Sequence, residues 1–331
     1  MLTTGLLSGC SFKTTVQDDL QNYEDRLQSF TQINIAQLEV DASADNQSIQ
    51  LFAPEKASML MPITSIDINL REFYAFKQCS LNTLIAQRNT ALGKMQLPSS
   101  RLVYETQILA AFDECISIMR KQDNTELATK LTQWQTQKQA QFPSVWANFI
   151  TQSNELFLHL THSGDFISGN ADDNFVATKQ AFRFLSNIGT KQAIDDSALE
   201  QHLQTLEHTR LLAKMWRTQQ LLNKRLNEIS PILQAYLQLN TCSNATQAND
   251  IVIMRNIFTL FFVKQIQPLG GELNKYHYQL QPLLKSITSK YALPQAFVDY
   301  IDTHLGEQHE QYKTAMQQHI TLWQQIFARC E

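Results

Sequence analysis

Residues 65–121 read Ser65-Ile-Asp-Ile-Asn-Leu70-Arg-Glu-Phe-Tyr-Ala-Phe-Lys-Gln-Cys79-Ser-Leu-Asn-Thr-Leu-Ile-Ala-Gln-Arg88-Asn89-Thr-Ala-Leu-Gly93-Lys94-Met-Gln-Leu97-Pro98-Ser99-Ser-Arg101-Leu-Val-Tyr104-Glu105-Thr-Gln-Ile-Leu-Ala-Ala-Phe112-Asp-Glu-Cys115-Ile-Ser-Ile-Met-Arg-Lys121. Two helical patterns flank one set of turn formers. Gly93 suits the left-handed residue that ends a helix, Pro98 cannot continue one, and Ser99 or Ser100 suits a cap for the next. The turn therefore centres near Leu97. Cys79 lies 18 residues before Leu97 and Cys115 lies 18 after it, so an antiparallel hairpin brings both to one height. A Cys79–Cys115 disulfide is the expectation. On the first arm Ile66, Leu70, Leu81 and Leu84 form a narrow apolar stripe that includes Arg88. On the second, Ile108, Leu109, Phe112 and Ile116 form a stripe that includes Glu105. A buried guanidinium needs a carboxylate, which predicts a buried Arg88–Glu105 ion pair.

The rest of the 331 residues extends the helical pattern. With 9 Gly and 8 Pro, only about 5% of positions are the usual chain punctuators, under half the ordinary share of about 12%. That composition, with 43% hydrophobic residues, disfavours a β-sandwich, a glycine-rich nucleotide-binding α/β enzyme and a disordered linker. Val16, Leu20, Tyr23, Leu27 and Phe30 are spaced for an amphipathic helix over 14–30. Residues 33–62 have no sustained period and suggest an extended crossing segment with room for one short strand. Breaks are expected at 93–98, near Asp123, at Pro143, over 163–174, near Gly189, and at 241–249, 268–271 and Pro294. The expected fold is an all-α, multi-helix bundle of about eight or nine helices. Residues 14–331 form a single helical domain, with 14–122 and 123–331 as a finer division.

Composition also bounds function. Lys plus Arg total 27 against 31 Asp plus Glu, a net charge of -4 scattered without a basic block, so nucleic-acid binding is disfavoured. Glutamine is abundant, 38 of 331, and suits long uncharged exposed helix faces such as 133–141. Residues 251–263 are apolar but too short to cross a membrane and fit a buried bundle helix. Leu7-Ser8-Gly9-Cys10 matches the bacterial lipoprotein box, in which small residues admit a signal peptidase before a Cys that becomes lipidated. No Lys or Arg precedes Lys13, so the translation start is expected upstream. Residues 1–9 are then the remnant of a signal peptide and 10–13 the lipidated tether. Ser11, in place of an Asp, points to the outer membrane facing the periplasm. With Cys10 assigned to lipid, Cys79, Cys115, Cys242 and Cys330 form an even set in an oxidising compartment, with three connectivities. If Cys79 pairs with Cys115, elimination pairs Cys242 with Cys330.

Arg88, Asn89, Lys94, Ser99, Arg101 and Glu105 gather at the hairpin tip. A cationic cluster beside a helix N-terminus suits a carboxylate or phosphate, and equally suits a structural ion pair among solvated charges. Glu155, His159 and His162 share one helical face, but lie beside Phe157, Leu158 and Leu160 and fit the polar edge of a packed helix better than a metal site. His304 and His309 diverge on a helix, and 41–52 fails as a calcium loop because Asn46 and Phe52 stand where Gly and Glu belong. There is no P-loop, nucleophile elbow, His-Glu-x-x-His or Cys-x-x-Cys. No metal or cofactor is expected.

The run from Leu70 to Lys94, followed by Pro98-Ser-Ser-Arg101-Leu-Val-Tyr104-Glu105, resembles the signature block of an uncharacterised proteobacterial lipoprotein family, domain of unknown function 3080. The resemblance implies a lipobox at the start and a pattern over nearly the whole chain, and supports export. It implies no activity and carries no catalytic residues. The expected function is a lipid-anchored, periplasm-facing envelope protein acting as a non-catalytic binding or scaffolding module. Its partners would be the membrane, through the anchor, and another envelope protein. The alternative is an envelope hydrolase with a nonlocal acid/base pair near 88–105.

Overall fold

The computed structural model describes residues 15–35, 49–90, 96–168, 174–189, 194–240, 242 and 245–329, and among them every regular element is helical. Helix α1, Val16–Thr31, starts at a reciprocal cap between Thr15 and Asp18 and buries Val16, Leu20, Tyr23 and Leu27, the face its spacing predicts. After it, 49–69 is extended except for a 3-10 turn at Lys56–Met59, and no strand forms among the described residues. Asn148 pins this segment by accepting from the Met61 N–H at 2.7 Å and donating to the Met61 carbonyl at 2.8 Å.

Among the described residues the first arm of the hairpin is two short helices rather than one. Helix α2, Leu70–Ala75, and helix α3, Ser80–Arg88, are separated at residues 76–79, where Phe76 and Cys79 turn into the core. The interruption shifts the helical phase. Leu70, expected inside, is 70% exposed, while Phe76, Leu81 and Ile85 are buried. Helix α4, Pro98–Lys121, keeps its predicted stripe, with Ile108, Leu109, Phe112 and Ile116 all buried. Pro98 itself opens α4, which its fixed φ allows, so the cap position falls on Leu97 and Ser99 lies buried in the first turn. Helix α5, Thr125–Gln152, returns antiparallel along α4 and runs straight through Pro143, where a break was expected. Burial of Phe142, Val145 and Trp146 on both sides of the proline outweighs one lost backbone hydrogen bond.

The remaining helices are α6, Asn154–Thr161; α7, Phe175–Asn187; α8, Asp196–Thr209; and α9, Leu211–Leu239. They are followed by α10, Ala245–Ile257; a π-helical segment, Phe258–Ile266; α11, Gln267–Thr288; α12, Gln295–Leu305; and α13, Glu307–Arg329. The break expected at 268–271 is absent. The Gln267 N–H bonds back five residues to Phe262, which places Pro268, lacking an N–H, at a change of register where the chain stays helical. Gly270 then lets α11 approach α13: a Cβ there would lie 3.1 Å from the Tyr312 hydroxyl. Residues 251–263 are only half buried. Ile251, Met254, Ile257 and Phe262 face inward, whereas Val252, Ile253 and Leu260 face out. No described helix is long and apolar enough to cross a membrane.

Among the described residues the buried apolar side chains form two cores. The larger is centred on α9 and α13, which run parallel, Gln219 meeting His309 and Ser230 meeting His319, and it takes in α1. The Trp323 indole donates to the Tyr23 hydroxyl at 2.8 Å, and that hydroxyl meets His319 at 2.6 Å, tying α1 to α13. The smaller core joins Phe76, from the break before α3, to Leu81, Ile85, Ile108, Phe112, Cys115, Met119 and Leu131 from α3, α4 and the start of α5.

Candidate functional site

Where the extended segment 65–68 passes over α3, α4 and α5, the small core opens as a cleft of about 800 Å³. Its apolar wall is Ile66, Ile68, Phe73, Ile85, Ile108 and Phe112, and its polar lining is Arg88, Asn89, Arg101, Tyr104, Lys138 and Asp67. Position follows from register. Arg101, Tyr104 and Glu105 occupy the first two turns of α4, and Lys138 reaches them from the antiparallel α5. One carboxylate oxygen, Glu105 Oε1, accepts from Arg101 Nη2 at 2.5 Å and from Lys138 Nζ at 2.9 Å. Glu105 is 2% exposed and the Lys138 side chain 7%. The Arg101 guanidinium also lies 5.5 Å over the Tyr104 ring.

The expected Arg88–Glu105 pair is corrected. Among the described residues the ion pairs of Glu105 are to Arg101 and Lys138, and Arg88 is half-buried rather than buried. Lys138 stands closer because it comes from the helix packed along α4, a contact that local spacing does not reveal. Its own stripe was nevertheless readable. Lys138 is seven residues from Leu131 and four from Phe142, both buried, so it sits on the inward face of a glutamine-rich helix.

Electrostatics in the cleft are strained toward positive charge. Burial lowers the Lys138 pKa, Glu105 raises it back in part, and Arg101 and Arg88 push it down again. Burial also lowers that of Arg88, with the Arg101 charge next in effect. The Tyr104 hydroxyl is pushed up to about 12 by burial and then by the neighbouring Glu105 carboxylate. Three cations therefore face one carboxylate that is already paired twice, with Asp67 exposed on the crossing segment. Arg101 Nε is buried without a hydrogen-bond partner. Such a cleft can hold an anion. Of the polar residues singled out in the sequence, Arg88, Asn89 and Arg101 line it, Glu105 lies beneath it, Ser99 is buried in the first turn of α4, and Lys94 lies outside the described residues.

Cys79 and Cys115 are joined by a disulfide, Cα atoms 5.3 Å apart, which clamps α3 to α4 beside the cleft. Cys242 is disulfide-bonded as well; Cys330 and Cys10 lie outside the described residues. His159, set against Glu155 and His162 in the sequence, points into the core and donates from Nδ1 to the Leu206 carbonyl at 2.7 Å. Among the described residues no three His, Cys, Asp or Glu side chains converge on a metal position.

A family model described as a protein of unknown function, DUF3080, matches residues 20–331. The chain belongs to the DUF3080 family. The match includes every residue lining the cleft and both Cys79 and Cys115, so the small core and its cationic wall lie within the family's own domain. No curated protein and no solved structure matches the chain.

Proposed function

We propose that this protein is a non-catalytic binding module that holds an anionic ligand in the cleft between 65–68, α3, α4 and α5. We further propose that it works from the periplasmic face of a proteobacterial outer membrane, anchored by lipid on Cys10 and passing its ligand or its contacts to another envelope protein. The observation that carries the binding reading is Arg88, Arg101 and Lys138 lining one cleft over a single buried carboxylate. Guanidinium forks match carboxylate and phosphate geometry. A hydrolase is the weaker reading, because the Glu105 oxygen that would move a proton is occupied by two cations. The anchoring reading is supported by Leu7-Ser8-Gly9-Cys10. It needs no metal, cofactor or nucleic acid.

Inorganic phosphate and acetate, titrated at constant ionic strength against chloride, should raise the melting temperature of the full chain and raise it less for Arg101→Gln. An identical response in wild type and variant would remove the cleft from consideration. For the anchor, mass spectrometry of the Cys10 peptide from the membrane fraction of a Gram-negative host should find a lipidated Cys. A free thiol there sinks the anchoring proposal.

A further inference from the structure

The cleft is cationic at one end only, and that asymmetry specifies more than an anion. Resting on the anion-binding reading above, we infer that its occupant is a single-chain amphiphile, a carboxylate or phosphate head carried on an unbranched apolar tail. The head belongs against Arg101 and Lys138 at the start of α4, where Arg101 Nε is a buried donor without a partner and two guanidinium groups and an ammonium crowd one another. An added anion relieves that crowding, and it does so without displacing Glu105, whose bonds use one N–H of Arg101 and one of Lys138.

The opposite wall is mainly apolar: the crossing segment adds only Ser65 and the exposed Asp67 carboxylate, which repels an anion. Ile66, Ile68 and Phe73 are partly exposed there over buried Ile85, Ile108 and Phe112, an apolar strip that continues to Leu70, itself 70% exposed and part of the lining. Apolar surface left open beside a charged cluster marks a ligand that is apolar at one end. A volume of about 800 Å³ falls within the range of sites that enclose one ligand of drug-like size, rather than a patch that lies on a membrane. Two chemical sources share this description, a fatty acid and a monoalkyl phosphate.

The test is calorimetric titration of the full disulfide-intact chain with straight-chain carboxylates and alkyl phosphates, hexyl to dodecyl, each below its micelle concentration. Affinity should climb about two- to fourfold per methylene, the fold-change matching burial of up to about 0.8 kcal/mol per CH₂. Arg101→Gln should lower affinity about tenfold at every chain length. Ile68→Asn, uncharged and on the extended segment rather than in a helix, should flatten the chain-length dependence, and a gain per methylene equal to that of wild type would overturn the assignment of the tail to this wall. The head group that binds tighter identifies which source is meant. If hexanoate and dodecanoate bind alike, the amphiphile inference is overturned and the anion site stands. If a neutral dodecyl ether binds as well as dodecanoate, the head assignment is overturned. If neither short nor long anions bind, both this inference and the function it rests on fall together. Circular dichroism of each variant separates lost binding from lost folding.

Discussion

The two cores of this molecule manage buried polarity in opposite ways. The large core holds His159, His277, His304, His309 and His319 at no more than 4% exposure, with no carboxylate hydrogen-bonded to any of their rings among the described residues. Where the partner is a carbonyl, as for His159 on Leu206 and His304 on Tyr300, Nδ1 must carry the proton, and Nε2 is left as a buried acceptor without a donor. Such an imidazole is stable only when neutral. His277 and His309 stack face to face with centroids 3.4 Å apart, an arrangement that two imidazolium ions would not tolerate. The small core keeps its charge. It buries Glu105 between Arg101 and Lys138 and closes the surrounding loop with a disulfide. One region thus buries neutral rings sensitive to protons, and the other a charge cluster beside a covalent clamp.

The sharpest separation of the two comes from acid. Burial depresses the pKa of His159, His277, His304 and His309 from 6.5 to about 4 and that of His319 to about 3. Depressed folded pKa values mean that the unfolded chain binds protons first. Stability is therefore full above pH 6.5 and lost as pH falls from there toward 4, by on the order of 2 kcal/mol per histidine at pH 5. Against the usual 5–15 kcal/mol of a folded domain, the combined effect is large enough to unfold the bundle. Melting curves from pH 7.5 to 4.5 should slide steeply downward, and a flat profile to pH 5 would contradict the neutral-histidine account.

Reductant should act on the other region. Replacing Cys79 and Cys115 by serine opens a loop with a sequence separation of 36, which in the chain-entropy account costs about 4 kcal/mol. Hydrogen exchange should then accelerate in α3 and the facing turns of α4 before it does in α9 and α13. Uniform acceleration would mean that the two cores unfold as one unit.

A smaller loss, about 3 kcal/mol, is expected from Glu105→Gln, which leaves Arg101 and Lys138 without their shared countercharge. Added phosphate should restore part of that loss, since it supplies the missing charge in the cleft. Restoration equal to that seen in wild type would argue that phosphate acts elsewhere. Least of all, Thr15→Ala removes the reciprocal cap of α1 and should cost about 1 kcal/mol in chemical denaturation, with no change in anion response.

Legibility in the sequence followed the range of the interactions involved. The α1 stripe and the α4 stripe are periodic within one helix, and both are buried as their spacing indicates. The Cys79 and Cys115 heights survive even though the first arm is broken at 76–79, because that break sits immediately beside Cys79 and shifts the apolar phase of α2 more than the position of α3. Signals that depend on proline misled at Pro143 and Pro268, where packing and a π turn compensate a missing donor. Lys138 was hidden because its partner lies 33 residues away on another helix.

By itself the sequence determined helical class, the amphipathic faces of α1 and α4, the two cysteines that meet across the hairpin and the nearness of Arg88, Asn89, Arg101 and Glu105 to its tip. Each of these depends on the geometry of one or two turns, which residue spacing encodes. Only the tertiary structure decided that Glu105 answers to Lys138 as well as Arg101, that five histidines are sealed away from water, and that an apolar wall stands beside the cations. Those facts depend on which helix packs against which, and burial and electrostatic partnership are properties of that packing rather than of any segment alone.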